Sequence, residues 1–353
     1  EFAYSLGIRA REALEKARSA IAETISADAE EIVFTSDITD SVNLAVRGAL
    51  KTAPSKKNHI ITSKIEDFPV LNTFKSLSKE GYEVTFLEVD EYGRVDPEDV
   101  KRAIRETTAL VSIQHANQEI GTVQPVEEIA RICKEKGVLF HTDATHTYRR
   151  VSIDVCEVPI DLISFSSHTI HGPKGAAALY IRKGLKLKSV LSGGYQEKGL
   201  RPGFDNVAAA VGFAEAARLV TDEENEKIKK LRDKLVFHVL NEVEDTVLNG
   251  HPKVRIPQNA NITFRYVEGE SITLHLDFRG IAVSTGSACF SKSLEASHVI
   301  LGIHGDHERA HGSVRFTFSR FNSEDEVDYV VNSVKEVVKR LREISPLKKG
   351  GEL

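Results

Sequence analysis

Asp161–Tyr180 reads DLISFSSHTIHGPKGAAALY. Leu162–Phe165 is a short apolar run of strand length, Gly172-Pro173-Lys174-Gly175 is a tight-turn signal, and Ala177–Ile181 is a second apolar run. Two strands flanking a polar, turn-bearing loop are the expectation. Upstream, the spacing of Leu14, Ala17, Ile21 and Ile25 predicts an opening helix over Arg9–Ile25, ended by Ser26-Ala27-Asp28. β-rich runs then alternate with amphipathic ones. Glu31–Thr35, His59–Ser63, Tyr82–Val89, Ala109–Gln114 and Val138–His141 read as strands; Asp40–Leu50, Val70–Lys79, Pro97–Arg105 and Val126–Lys136 read as helices. Such βα alternation with near-continuous apolar strands predicts an α/β fold with a mostly parallel sheet covered on both faces, and a ligand site at the carboxyl ends of its strands.

Downstream of Gly193-Gly194 the character changes. Helical patterns over Ala208–Leu219 and Glu223–Val243 lead to Asn261–Tyr266, Ile272–Leu276 and Val314–Phe318, which predict a smaller α/β unit closed by a helix over Glu324–Arg342. We therefore expect a large domain over residues 1–222 and a small one over 223–353. The 353 residues are 41% hydrophobic and 28% charged, enough for two cores, and the net charge of -5 with mixed signs argues against nucleic acid or a membrane surface as the main partner. Leu347-Lys348-Lys349 reads as a solvated tail. With no apolar run of transmembrane length and no charged-then-apolar leader, a soluble, cytoplasmic protein is expected. Three cysteines do not make a disulfide framework. Cys133 and Cys156 read as packed thiols.

Several ordered motifs resemble the cysteine desulfurases of the class V aminotransferase group: EEIVFTSDITDSVNLA, HIITSKIEDFPVL, LVSIQHANQEIGTVQP, LFHTDATHT, GGYQEKGLRPGFDN, YVEGESI, STGSACFSKSLEASHV and HGSVRFTFSRFNSEDEVDY, together with the stretch quoted first. The resemblance implies fold type I: a large doubly wound domain binding pyridoxal phosphate (PLP), a small C-terminal domain, and a homodimer. Family members usually open upstream of this sequence's first residue with a short strand and an Asn/Ala/Thr-rich motif, so that segment is expected to be absent. In the family a strand ends in Ser-x-His-Lys before Gly-Pro-Lys-Gly, and the lysine forms the Schiff base that holds PLP. Thr169 stands at that position.

The same resemblance assigns the other site residues. Asp143 matches the carboxylate that pairs with the pyridinium nitrogen; on the residues alone it reads more readily as a cap or loop acceptor. His146 stands for a glutamine donating to the ring hydroxyl. Ser166, His168 and Thr39 match phosphate-binding residues, Thr39 at a helix start where free N–H groups attract anions. Asp37 replaces a glycine there, and a carboxylate about 4 Å from a phosphate costs on the order of 4 kcal/mol per charge pair at an effective dielectric near 20. Asp37 is thus expected to cap the helix in place of the anion. Asp67 replaces a histidine that stacks on the ring, and Phe204 a threonine that reaches the other subunit's phosphate. Lys174 lies in a turn that lysine-bearing members also have, so it is no substitute anchor.

Gln118 replaces an asparagine near the substrate carboxylate, and Arg315 matches the arginine that pairs with it. Cys289, among small residues, matches the nucleophile that takes sulfur from cysteine as a persulfide. His298, His304, His307 and His311 have spacings that invite a metal, but Gly302, Gly305 and Asp306 interrupt them and no metal site is expected. Two functions follow from the resemblance. One is a desulfurase converting L-cysteine to L-alanine and a Cys289 persulfide for iron–sulfur cluster or thiolation partners, with impaired PLP chemistry. The other is a non-catalytic scaffold or sulfur-relay subunit that has lost PLP.

Overall fold

The computed structural model describes residues 4–286 and 296–346. They form two units. The first comprises the chain to Leu87, Val95–Ala116 and Gln124–Thr221; the second comprises Glu88–Arg94, Asn117–Val123 and the chain from Asp222 onward. The two short excursions into the second unit have no counterpart in a single cut near residue 222.

In the first unit seven strands, β1 (Ile32–Thr35), β2 (His59–Ser63), β3 (Glu83–Leu87), β4 (Thr108–Ser112), β5 (Leu139–Asp143), β6 (Leu162–Ser166) and β7 (Ala177–Ile181), form one sheet in the order β1-β7-β6-β5-β4-β2-β3. Pairings from β3 to β6 are parallel, and β7 is antiparallel to both β6 and β1. The reversal at β7 follows from its connection. The segment between β6 and β7 holds only a 3-10 turn, His168–Ile170, and the Gly-Pro-Lys-Gly turn, too little for the crossover that a parallel pair needs. Gly175, at φ 82, supplies the left-handed step that returns the chain into β7.

Six helices accompany this sheet: α1 (Ser5–Glu23), α2 (Ile38–Leu50), α3 (Phe68–Lys79), α4 (Pro97–Ala103), α5 (Val126–Lys136) and α6 (Val207–Leu219). One core layer packs Val42, Ala45 and Val46 of α2 with Phe74, Ile60, Leu110, Leu162 and Leu179. An aromatic cluster of Tyr148, Phe165 and Phe213 lies elsewhere in the unit, with the Tyr148 and Phe165 rings stacked at 4.5 Å.

The second unit contains α7 (Asp222–Glu242), β8 (Thr246–Asn249), β9 (Asn259–Phe264), α8 (Gly269–Asp277), α9 (His298–His304), α10 (His307–His311), β10 (Ser313–Thr317) and α11 (Glu324–Ile344). Its strands form an antiparallel sheet, β10-β9-β8. One face of that sheet, with Ile262, Phe264, Val314 and Phe316, packs on Leu235, Val239, Val334 and Val338 of α7 and α11. A capping box between Ser323 and Glu326 starts α11. Ile272–Leu276 lies within α8, where Ile272 and Leu276, one turn apart, are the buried positions. The tail at Leu347 and beyond lies outside the described residues.

Candidate functional site

The carboxyl ends of β5 and β6 and the N-terminus of α2 gather the first group of residues. The register pairs Asp143 with Ser164, so Asp143, Ser164 and Ser166 share one sheet face. That face receives α2: the Ser41 hydroxyl lies 2.8 Å from the Ser164 hydroxyl, and His141, on the same face, bridges Ser112 at 2.7 Å and Ser164 at 3.0 Å. Asp143 is buried, and its Oδ1 accepts the Thr145 N–H at 2.9 Å. Loss of solvation pushes its carboxyl up to about 7, against the Thr145 hydrogen bonds that hold it down, and nearby Asp67 adds to the rise. A buried acid of this kind is stabilised by a cationic N–H. The ring-nitrogen role therefore has a suitable group.

Glu66, which the sequence reading passed over, belongs to the same cluster. It is fully buried, accepts the Ser63 hydroxyl at 2.6 Å and the Gln114 N–H at 3.0 Å, and desolvation pushes it up to about 8, with Asp143 and Asp67 contributing. The signal available was an acid placed just after a five-residue buried strand. Asp67 beside it is the N-cap of α3, accepting the Phe68 N–H at 2.8 Å.

The remaining positions behave differently. Ser166 is buried with its hydroxyl 2.8 Å from His168 Nδ1. Thr169, at the position that the resemblance gives to lysine, donates its hydroxyl to the Thr145 carbonyl at 2.7 Å. His146 is half-buried in the turn after β5, and Lys174 is exposed. Thr39 is exposed in the first turn of α2. Asp37 is the N-cap of that helix and accepts the Asp40 N–H at 2.8 Å. Asp40 in turn accepts from the Ser36 N–H and Arg201 Nε, both at 3.0 Å. Two carboxylates thus occupy the end of α2 at which an anion would bind. Phe204 is 93% exposed.

Gln118 and Arg315 lie in the second unit, where Arg315 Nη1 donates to the Gln118 carbonyl at 3.1 Å. Cys289 lies outside the described residues. The four histidines fall on α9 and α10, separated at Gly305 in the left-handed conformation, so their spacings do not make one helical face. Among the described residues no group of His, Cys, Asp and Glu has the arrangement of a metal site. Cys133 is buried, and desolvation pushes its thiol up to about 12. Cys156 corrects the expectation of packing: it is exposed, on a turn ordered by Asp154, whose carboxylate accepts the Cys156 N–H at 2.8 Å.

The aminotransferase class-V family model matches residues 2–330. Cysteine desulfurase IscS of Dictyoglomus turgidum is 45% identical, with 98% of this chain and 88% of the relative covered. This chain belongs to the cysteine desulfurase family. The mitochondrial cysteine desulfurase of Saccharomyces cerevisiae is 47% identical over 98% of this chain and 70% of its own length. Among solved structures, a NifS-like protein superposes with a TM-score of 0.89 at 35% identity, covering 96% of this chain and 91% of that one. SspA in complex with cysteine gives 0.80 at 32% identity, covering 91% of each.

The cysteine desulfurase family implies PLP. Of the residues present, Asp143 suits its ring nitrogen. Thr169 offers a hydroxyl already committed to a carbonyl, and the α2 terminus that would take a phosphate carries Asp37. The donor set does not fit a lysine-held PLP.

Proposed function

We propose that this cysteine desulfurase-family protein is a non-catalytic scaffold or sulfur-relay subunit, with Cys289 carrying sulfur toward iron–sulfur cluster assembly or thiolation. The observation that carries the reading is the carboxylate of Asp37 bound to the Asp40 N–H at the head of α2, where a phosphate would have to sit. Thr169 adds to it: a hydroxyl neither forms an imine nor shuttles the proton that a lysine would. Sulfur then reaches Cys289 by exchange. Its thiolate attacks the outer sulfur of a donor persulfide, the donor S–S bond breaks, and the donor leaves as a thiolate while Cys289 becomes the persulfide. A homodimer fits the exposure of Leu191, Tyr195 and Phe204, large apolar groups on one segment of the first unit. A cytoplasmic location belongs to the same proposal.

The visible spectrum of the purified protein incubated with PLP, before and after L-cysteine, tests this reading. The expected result is the spectrum of free PLP and no alanine, while a persulfide donor adds the mass of one sulfur to the peptide that carries Cys289 and adds none to that peptide in the C289S variant, exposed Cys156 being scored on its own peptide. The double substitution T169K/D37G is expected to gain a protein-bound visible band. Asp143 favours a second reading, a desulfurase that holds PLP without a covalent bond, because its buried carboxyl suits a protonated ring nitrogen. Alanine accumulating in the unsubstituted protein would establish that alternative and sink the first.

A further inference from the structure

The small sheet extends past β10. Ser284 forms an antiparallel bridge with Arg315 of that strand, its N–H donating to the Arg315 carbonyl at 3.2 Å and its own carbonyl accepting the Arg315 N–H at 2.7 Å. Residues 281–283, which lead into the bridge, contain no turn or bend. Successive peptide groups of an extended chain point to opposite sides, so Val283 turns its N–H and carbonyl away from β10. Neither is hydrogen-bonded to any described residue. Val283 is therefore an open edge, at which a further extended chain can add.

A cleft of about 360 Å³ lies beside this edge. Leu235, Phe316, Phe318, Val327 and Val330 line it, residues 280–283 form one wall, and Val283 packs from that wall against the apolar core. Tyr329, also lining it, is 52% exposed and donates its hydroxyl to the Arg279 carbonyl at 3.0 Å. An added strand sends every second side chain to the cleft's side of the sheet, so the edge supplies backbone recognition and the cleft selects apolar residues at alternate positions. The surroundings are acidic. Asp325 lies one helical turn before Tyr329 on α11, and Asp277 ends α8, where its carbonyl accepts the Gly280 N–H at 2.8 Å. Both carboxylates are exposed and neither makes an ion pair among the described residues. The cations nearby are committed, Arg279 to Glu336 at 2.6 Å and Lys234 to Asp328 at 2.8 Å. A lysine or arginine beside the apolar residues meets uncompensated acids there, and an acidic segment meets repulsion.

We infer that the edge at Val283 and the cleft beside it form a docking site for an extended segment of a partner protein, with apolar residues at alternate positions and lysine or arginine between them. The inference uses neither PLP nor Cys289 and is independent of the sulfur-relay reading.

The test titrates the full chain into the fluorescein-labelled peptide Lys-Leu-Lys-Leu-Lys, reads fluorescence anisotropy, and follows hydrogen exchange of the Val283 amide by NMR. The peptide is expected to bind and to slow exchange at Val283, while Glu-Leu-Glu-Leu-Glu binds at least about tenfold more weakly. D277K/D325K changes two exposed side chains and is expected to weaken the basic peptide about tenfold. V283P removes the outward N–H and leaves the Ser284 bridge its own donor and acceptor, so it too is expected to weaken binding about tenfold. If V283P does not fold, the basic peptide methylated at its leucine nitrogens, which lacks the N–H groups that would face Val283, is expected to bind the unsubstituted chain as weakly. The inference is overturned if the basic peptide does not bind, if the acidic peptide binds equally, if exchange at Val283 is unchanged, or if both D277K/D325K and V283P bind like the unsubstituted chain. Self-association of the unsubstituted chain that V283P abolishes also overturns it, and assigns the edge to a second copy.

Discussion

Replacing Glu66 by glutamine is expected to stabilise the protein at alkaline pH and to leave it unchanged in acid. Glu66 is fully buried between Ser63 and Gln114, and desolvation raises its carboxyl from 4.5 to about 8. The sign follows from proton binding. Below about pH 4.5 the group is protonated in both states and its contribution is fully present. Between 4.5 and 8 the unfolded chain gives up the proton while the folded chain keeps it, so stability falls as pH rises. Above about 8 the folded group ionises too and the loss levels off. The ceiling is 8 minus 4.5, or 3.5 pH units, at 1.36 kcal/mol each, about 5 kcal/mol. Water drawn toward the charge brings the expectation to about 2–3 kcal/mol.

In E66Q the new amide mimics the protonated acid at every pH. Its oxygen can keep the contacts that Glu66 Oε1 accepts, from the Ser63 hydroxyl at 2.6 Å and the Gln114 N–H at 3.2 Å. Urea unfolding followed by circular dichroism at pH 5 and pH 8 measures the difference. The variant should match the unsubstituted protein within about 1 kcal/mol at pH 5, and exceed it by about 2–3 kcal/mol at pH 8. It should retain a residual downward slope, because Asp143, raised from 3.8 to about 7, still titrates in the same direction. An advantage equal at both pH values, or a variant less stable at pH 8, refutes the reasoning.

Two further outcomes use the same preparation. Phe213 is fully buried against Tyr148 at 5.6 Å and Phe165 at 6.2 Å, so F213A should cost about 3–5 kcal/mol in the unfolding assay, and a loss under about 1 kcal/mol would contradict the packing. Alkylation at pH 8 should modify exposed Cys156 in the native protein and reach Cys133, raised to about 12 by burial, only after denaturation; equal native rates at the two thiols would contradict their placement.

The parts of the fold governed by local signals were legible in the sequence. His59–Ser63, Val126–Lys136 and Ala177–Ile181 have the bounds that apolar period and turn residues set, and Asp37 caps α2 as a short acid before a helical run should. The reversal of β7, the short β8 and the helical state of Ile272–Leu276 were not, because each is set by what the segment packs against. Glu66 escaped for a related reason. Its chemistry depends on burial and on contacts between segments far apart in sequence, which no local pattern encodes.

The carboxyl groups of the first unit bear on how well it suits a phosphate-bearing cofactor. In the first unit, Glu66 and Asp143, whose carboxyls burial pushes up to about 8 and about 7, cluster with Asp67 at the strand ends, and Asp37 heads α2, where a carboxylate about 4 Å from a phosphate would oppose it by on the order of 4 kcal/mol. Asp37, Asp67 and Thr169 each complete a local hydrogen bond of their own. Asp37 and Thr169 thus hold hydrogen-bonding roles that a bound phosphate and a lysine would contest.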